Sequence, residues 1–141
     1  SKLINKQAAG ILYLIETKIR NRAKHATGVL GLSRYSLEHI MPKKWENKWP
    51  KLSSPDAINE RNRKLFTLGN LTIITASLNS SIRDGSWDVK KKGKGDKHGL
   101  IQYAAGLDTF SHYLASPHWD EVTIESRADF LYEYACKIWQ N

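Results

Sequence analysis

The sequence predicts a mainly helical α+β fold, in which two short strands and a following helix pack against a helix at each end of the chain. Apolar residues repeat at helical spacing near both termini. A β-branched run at 71–75 follows Gly69, and a shorter run at 35–41 ends at Pro42, which lacks a backbone donor. With 141 residues the chain is long enough for a single domain with its own core, covering residues 1–141.

Helix starts and stops place the remaining elements. The apolar spacing at 3–25 predicts a long first helix. Gly28 is expected to end it, because glycine readily takes the left-handed conformation of a helix end. Ser54 and Pro55 predict the cap and first turn of a helix that reaches about Phe66. The other expected elements are a helix at 77–83, a helical turn at 87–92, a mobile lysine-rich loop at 90–99, one or two short helices within 100–115, and a last helix at 124–139 capped by Thr123.

The charge of the chain predicts an anionic partner. The formal net charge is +8 and the pI is near 9.6. Nucleic acid fits better than a membrane, because the chain has neither a basic amphipathic helix with an aromatic face nor an apolar run long enough to span a bilayer. The single cysteine excludes an internal disulfide and a four-cysteine zinc ribbon, and suits a cytoplasmic protein. The chain begins with serine rather than methionine, so we expect a fragment of a longer protein.

Two segments carry residues suited to phosphodiester hydrolysis. Glu38 and His39 stand together at the end of the first strand, and Asn70 and Asn79 lie before and after the second. A histidine that is neutral near pH 7 can accept a proton from water, so His39 is the expected general base. Glu38 and the amide oxygen of Asn79 are the expected ligands of one Mg²⁺ or Mn²⁺ ion, since both metals prefer oxygen. Asn70 is expected to hydrogen-bond backbone on both sides of the intervening loop and to hold His39 in place.

Each of these residues has an ordinary explanation when taken alone. A Glu-His pair is more often a surface pair than a catalytic one, Gly-Asn before a strand is common turn chemistry, and Asn79 could cap a helix. Their combination and order (Glu-His-x-x-Pro, then Leu-Gly-Asn-Leu, then asparagine) are the sequence form of an HNH, or ββα-metal, nuclease site.

With these residues in place, the chain resembles the C-terminal domain family of GmrSD-type modification-dependent restriction endonucleases. The similarity rests on Glu-His-Ile-Met-Pro at 38–42, Leu-Gly-Asn-Leu-Thr at 68–72, Ser-Leu-Asn-Ser-Ser-Ile at 77–82, Ser-Trp-Asp-Val-Lys at 86–90, and the last helix around 124–139. The resemblance implies His39 as general base, Glu38 and Asn79 as metal ligands, and Asn70 as the middle HNH residue. Glu38 and Asn79 stand where many HNH sites have aspartate and histidine.

The same resemblance implies a role and partners. It implies an HNH nuclease that follows an NTP-using, ParB-like domain and cleaves modified or foreign DNA in phage defence; the SspE proteins linked to phosphorothioation are one branch. Double-stranded DNA is the expected substrate. The basic residues expected to contact its phosphates are Lys43, Lys44, Arg83, Lys90, Lys91 and Lys92.

Two other functions fit the same residues. One is a DNA-binding module that keeps the fold and cleaves nothing, which the charge and the small number of metal ligands would allow. The other is a toxin nuclease directed at RNA. Metal-dependent nicking of plasmid DNA separates these possibilities.

Overall fold

The structure is a computed structural model that describes residues 2–23 and 29–139. Within these ranges the chain forms six α-helices and one two-stranded sheet, which confirms a mainly helical α+β fold. The elements are α1 (Lys2–Ala23), β1 (Ser36–His39), α2 (Pro55–Lys64), β2 (Leu71–Ile74), α3 (Ser80–Arg83), α4 (Trp87–Lys92), α5 (Leu100–Ala104) and α6 (Glu121–Trp139). Short 3₁₀ helices occupy Leu32–Arg34, Trp45–Asn47, Leu68–Asn70 and Ser111–Ala115.

The two strands form an antiparallel pair in which Glu38 lies opposite Thr72 and His39 opposite Leu71. All four residues of β2 are buried, whereas β1 buries only Glu38. The difference follows from composition, because β2 is apolar apart from one threonine and β1 has only one apolar residue, Leu37. The Glu-His pair therefore lies on the more accessible strand, next to the start of β2.

The terminal helices α1 and α6 pack against each other and against the sheet region. α1 contacts both strands, and α6 contacts the 3₁₀ turn Leu68–Asn70 that leads into β2. Gly69 allows this approach, since a Cβ added there would lie 2.1 Å from the carbonyl oxygen of Ile124 in α6. The expected packing of the first helix against the last is confirmed.

Arg127 of α6 fixes this helix to the start of β2 and to the segment before the 111–115 turn. Its fully buried guanidinium donates to the carbonyls of Gly69 at 2.9 Å, Leu71 at 2.6 Å and Thr109 at 3.0 Å. Burial lowers the pKa of Arg127 to about 9. On α1, the buried carboxylate of Glu16 accepts from the backbone N–H of Thr109 at 2.9 Å. Both terminal helices are therefore tied to the same segment by buried charge-assisted bonds.

Four boundary predictions are wrong or fall on residues that the structure does not describe. The helix expected at 77–83 begins only at Ser80 and is capped by Asn79. The last helix begins at Glu121, and Asp120 caps it by accepting from the N–H of Thr123 at 3.0 Å, so Thr123 is not the cap. The expected loop at 90–99 is wrong at its start, because Lys90–Lys92 belong to α4. The expected stop at Gly28 falls outside the described residues.

None of the helices in the described part of the chain combines the length and the apolar character needed to cross a lipid bilayer.

Candidate functional site

A pocket of about 420 Å³ opens at the end of β1 and brings several of the predicted residues together. Glu38 and His39 line it together with residues of α1, of the segment after β1 and of the region around α3. The lining residues are Asn5, Ser36, Leu37, Glu38, His39, Pro42, Lys43, Lys44, Ser77, Leu78, Arg83 and Asp84. Basic side chains at Lys43, Lys44 and Arg83 give the pocket a positive rim.

The end of β1 places two sequence neighbours beside one pocket. Side chains alternate across a strand, so Glu38 and His39 leave the backbone on opposite faces. The strand ends at His39, and the chain then turns toward Pro42, which also lines the pocket. Both residues of the pair thus border the same cavity.

Asn70 braces the loop that follows the Glu-His pair. Its amide oxygen accepts from the backbone N–H of Met41 at 2.8 Å and from the indole N–H of Trp119 at 3.0 Å. Its amide nitrogen donates to the carbonyls of Met41 at 3.0 Å and Leu65 at 3.1 Å. Asn70 is fully buried, and its own carbonyl accepts from Ile40 at 2.8 Å. These bonds join both ends of the 40–70 loop, as expected for a structural role; a direct role in catalysis stays a prediction.

Lys90 lies beneath the Glu-His pair instead of facing solvent. Its ammonium is fully buried, lies 3.0 Å from a carboxylate oxygen of Glu38 and donates to the carbonyl of His39. Burial lowers the pKa of Lys90, and the neighbouring Glu38 opposes this by favouring the charged form. In this arrangement Lys90 orients the Glu-His pair. Its ammonium is not exposed at the surface, where a DNA phosphate would bind, as the expected phosphate contact requires.

Lys91 and Lys92 do not line the pocket either. Lys91 is buried, donates to the carbonyl of Ser116 at 3.0 Å, and lies 5.1 Å from the centre of the Trp87 ring. Lys92 is exposed and pairs with Asp88 at 3.0 Å on the same helix. Of the six expected phosphate contacts, the structure brings Lys43, Lys44 and Arg83 to the pocket.

His39 occupies a setting that keeps its imidazole neutral. Its pKa is lowered to about 4, first by burial and then by the positive charges of Lys43 and Lys90. The ring meets Phe66 edge-to-face, with centroids 5.7 Å apart. A histidine in this state has a free nitrogen lone pair at neutral pH and is able to accept a proton.

Asn79 lies beside the pocket but does not line it. Its exposed side chain caps α3, with the amide oxygen accepting from the backbone N–H of Ser81 at 3.0 Å and from its hydroxyl at 2.7 Å. Both lone pairs of that oxygen are therefore engaged within the helix cap. Ligation of a metal through this oxygen would require the Ser81 hydroxyl to turn away.

Asp84 is a pocket residue that no sequence motif singled out. It follows α3, lines the pocket with Glu38, and lies 3.7 Å from Arg83. Its negative charge favours the charged form of the buried Lys90 and so opposes the lowering of the Lys90 pKa by burial. The only sequence signal was an acidic residue at the predicted end of the helix after Asn79. Helix-end acids are common, so this signal had no specificity.

Two carboxylate residues line the pocket, and carboxylate oxygens are the ligand type that a hard divalent ion prefers. Glu38 and Asp84 supply carboxylates, and Mg²⁺ in proteins usually keeps several waters and binds one or two carboxylates. Within the described residues, no cluster of three or more His, Cys, Asp or Glu side chains is placed to hold a metal. The expected Mg²⁺ or Mn²⁺ ion stays a prediction.

Comparison with known proteins identifies the family. Residues 2–134 match the family model described as GmrSD restriction endonucleases, C-terminal domain. Searches of the curated proteins and of the solved structures gave no match. The match spans all the pocket residues and most of the chain, and it indicates the nuclease module of a restriction endonuclease. The chain belongs to the family of GmrSD restriction endonuclease C-terminal domains.

Proposed function

We propose that this domain is a metal-dependent endonuclease of the ββα-metal, or HNH, type that cleaves phosphodiester bonds in double-stranded DNA. The observation that carries the proposal is the meeting of Glu38 and His39 at one basic-rimmed pocket of about 420 Å³. A positive rim attracts the phosphate backbone, and the Glu-His pair offers an oxygen ligand and a proton acceptor at the same place. In the proposed ββα element, β1 and β2 are separated in sequence by α2, and the helix that follows β2 is the single turn α3.

His39 has the properties of the proposed general base. Its lowered pKa keeps the imidazole unprotonated at neutral pH, so it is ready to take a proton from water. An incoming phosphate would add negative charge beside the ring and raise this pKa, because a nearby anion favours the imidazolium. Substrate binding would therefore bring the base closer to the pKa that suits proton transfer.

Glu38 is the main proposed metal ligand, with Asn79 and Asp84 as candidates for the second position. When bound, Mg²⁺ or Mn²⁺ would neutralise charge on the scissile phosphate and polarise it for attack. Lys90 holds one carboxylate oxygen of Glu38 and so limits the orientations that the side chain takes. Asp84 lines the pocket directly, whereas Asn79 must first give up its bond to the Ser81 hydroxyl.

Lys43, Lys44 and Arg83 are the proposed phosphate contacts. All three are exposed and line the pocket, which suits side chains that bind a polyanion by releasing counterions. We leave Lys90 and Lys91 out of this set because both are buried and engaged by protein acceptors. Lys92 is exposed on α4 but paired with Asp88.

The biological setting is proposed from the family. A restriction endonuclease module fits a defence role against phage, with modified or foreign DNA as target. Target choice would then come from an NTP-using domain that precedes this one in the parent protein. Contacts to phosphates alone carry no sequence information, so a pocket of this kind would cleave with little base preference of its own.

Plasmid nicking tests the proposal directly. Supercoiled plasmid incubated with the protein and Mg²⁺ or Mn²⁺ should give nicked or linear DNA, EDTA should prevent this, and His39→Ala should lose it. His112→Ala is the matched control, since His112 is exposed and outside the pocket. Plasmid binding without metal-dependent nicking would instead identify an inert module, and loss of RNA with intact plasmid would identify an RNA-cleaving domain.

A further inference from the structure

Phe66 presents an exposed aromatic ring at the edge of the pocket. The residue lies two positions after the end of α2 and is 62% exposed, although Leu65 beside it is only 2% exposed. Its ring meets the imidazole of His39 edge-to-face at 80°, with centroids 5.7 Å apart. The ammonium of Lys43 lies 5.6 Å from the centre of the same ring. The Phe66 ring is thus held in position by two pocket residues while most of its surface faces solvent.

Exposure alone gives such a residue no function, because single apolar side chains are common on protein surfaces. The position of Phe66 is what matters. Successive phosphates of one strand rise by roughly 3.4 Å along the helix axis, so a ring centred 5.7 Å from His39 lies within about two nucleotides of a phosphate at that histidine. A base belonging to one of these nucleotides would be able to reach the ring.

We propose that Phe66 forms a stacking subsite for an unpaired or unstacked nucleobase of the DNA strand whose phosphate enters the pocket. This inference rests on the proposed function. Aromatic side chains next to basic ones bind single strands, since every base has a π-face and the backbone pairs with the cations. The Lys43 side chain is exposed and is therefore free to leave the ring when a base stacks there. Its ammonium would then contact a phosphate of the same strand.

The subsite has a consequence for substrate choice. Bases within an intact duplex are stacked on their neighbours, so reaching Phe66 costs the energy of unstacking and unpairing them. This cost is smallest at a mismatch or in single-stranded DNA. The domain should therefore bind and cut DNA that contains unpaired bases in preference to continuous duplex of the same sequence.

Two binding measurements test this with the cleavage step blocked by Ca²⁺ in place of Mg²⁺. The first is fluorescence anisotropy with labelled duplexes that differ only in one central mismatch. The second is the emission of 2-aminopurine placed at the mismatch, which stacking on an aromatic ring quenches. Phe66→Ala should weaken binding to the mismatched duplex on the order of tenfold and change binding to the paired duplex little. Tyr132→Ala is the matched control, because Tyr132 is a 69% exposed aromatic residue on α6 outside the pocket.

Further variants separate stacking from simple apolar contact. Phe66→Trp should keep or increase the mismatch preference and the quenching, whereas Phe66→Leu should lose both. The inference is overturned if Phe66→Ala matches the unsubstituted protein in both assays, or if Phe66→Leu retains the full preference. Such a result leaves the proposed function untouched, because metal-dependent plasmid nicking tests that separately. Absence of nicking combined with intact mismatch preference would overturn the nuclease proposal and keep the subsite.

Discussion

The ammonium of Lys90 lies 3.0 Å from the carboxylate of Glu38 and also donates to the backbone carbonyl of His39. One buried cation thereby contacts both members of the Glu-His pair from the side opposite the solvent. The exposed fraction of the side chain is 0% for Lys90 and 10% for Glu38. A charge pair in this setting is expensive to desolvate, so removal of either partner leaves the other poorly compensated.

Lys90→Met should therefore lower the free energy of unfolding by about 3 kcal/mol, because the methionine fills the space but leaves the Glu38 carboxylate buried without its partner. Urea unfolding in EDTA measures the change. Lys92→Met is the matched control on the same helix; its exposed pair with Asp88 should contribute less than about 1 kcal/mol. Combining Lys90→Met with Glu38→Gln should recover part of the loss, and a stable single variant would show that the pair is unimportant.

Asn70→Ala should destabilise the domain by about 3 kcal/mol or more. The substitution leaves four buried partners without hydrogen bonds, namely the N–H and carbonyl of Met41, the carbonyl of Leu65 and the indole of Trp119. Chemical denaturation followed by tryptophan fluorescence measures the loss. Asn59→Ala, on the exposed surface of α2, should change stability by less than about 0.5 kcal/mol. Equal stability of the two variants would contradict the bracing role.

The elements that depend on local pattern were predictable from the sequence. Pro42, Gly69 and the β-branched run around Ile73 delimit the two strands, and Ser54 caps α2 as expected by accepting from Ala57 at 3.1 Å. The hydrogen bonds of Asn70 were also predictable, since an amide beside a long loop has few other uses in a buried turn. These features depend on residues close in the sequence or on one side-chain type.

The positions of Lys90, Asp84 and Phe66 were not predictable in this way. Lys90 stands in a run of lysines, a pattern typical of a solvated segment, yet it contacts His39 across 51 residues of sequence. Its burial depends on how α4 packs beneath β1, which no local pattern encodes. Phe66 was expected only as the end of a helix, and its contact with His39 likewise appears only after the chain has folded.

Gly69→Ala should destabilise the domain by about 1–3 kcal/mol, because the added methyl group would overlap the backbone of α6 at Ile124. Thermal unfolding measures this as a lowered Tm. Gly10→Ala provides a control of opposite sign, since a Cβ there meets nothing within 4 Å and alanine favours a helix interior by about 0.5–1 kcal/mol. A Gly69→Ala variant as stable as Gly10→Ala would show that α6 shifts freely over the 68–70 turn.

Substitutions at Asp84 and Asn79 should identify the second metal ligand. We expect Asp84→Asn to weaken Mn²⁺ binding on the order of tenfold, because a carboxylate that lines the pocket is replaced by a neutral amide. Mn²⁺ titration followed by electron paramagnetic resonance measures this independently of cleavage. Asp88→Asn is the matched control, as Asp88 is exposed on α4 and outside the pocket. Loss of affinity in Asn79→Ala, with Asp84→Asn unchanged, would assign the second position to Asn79 instead.

The stability of the domain should fall as the pH drops from 6.5 toward 4, and His39 should account for part of this slope. The pKa of His39 is about 4 in the folded protein against an ordinary value of 6.5, so in this window the unfolded chain binds a proton that the folded chain does not. The contribution of the neutral His39 to stability is fully present above pH 6.5 and is lost as the pH approaches 4.

Urea unfolding across this range in EDTA measures the free energy of unfolding against pH. Its slope should be shallower for His39→Gln than for the unsubstituted protein. His112→Gln, which alters an exposed histidine, should leave the slope unchanged. Equal slopes for the unsubstituted protein and His39→Gln would mean that His39 titrates at its ordinary pKa, and would remove the argument that burial keeps this base neutral.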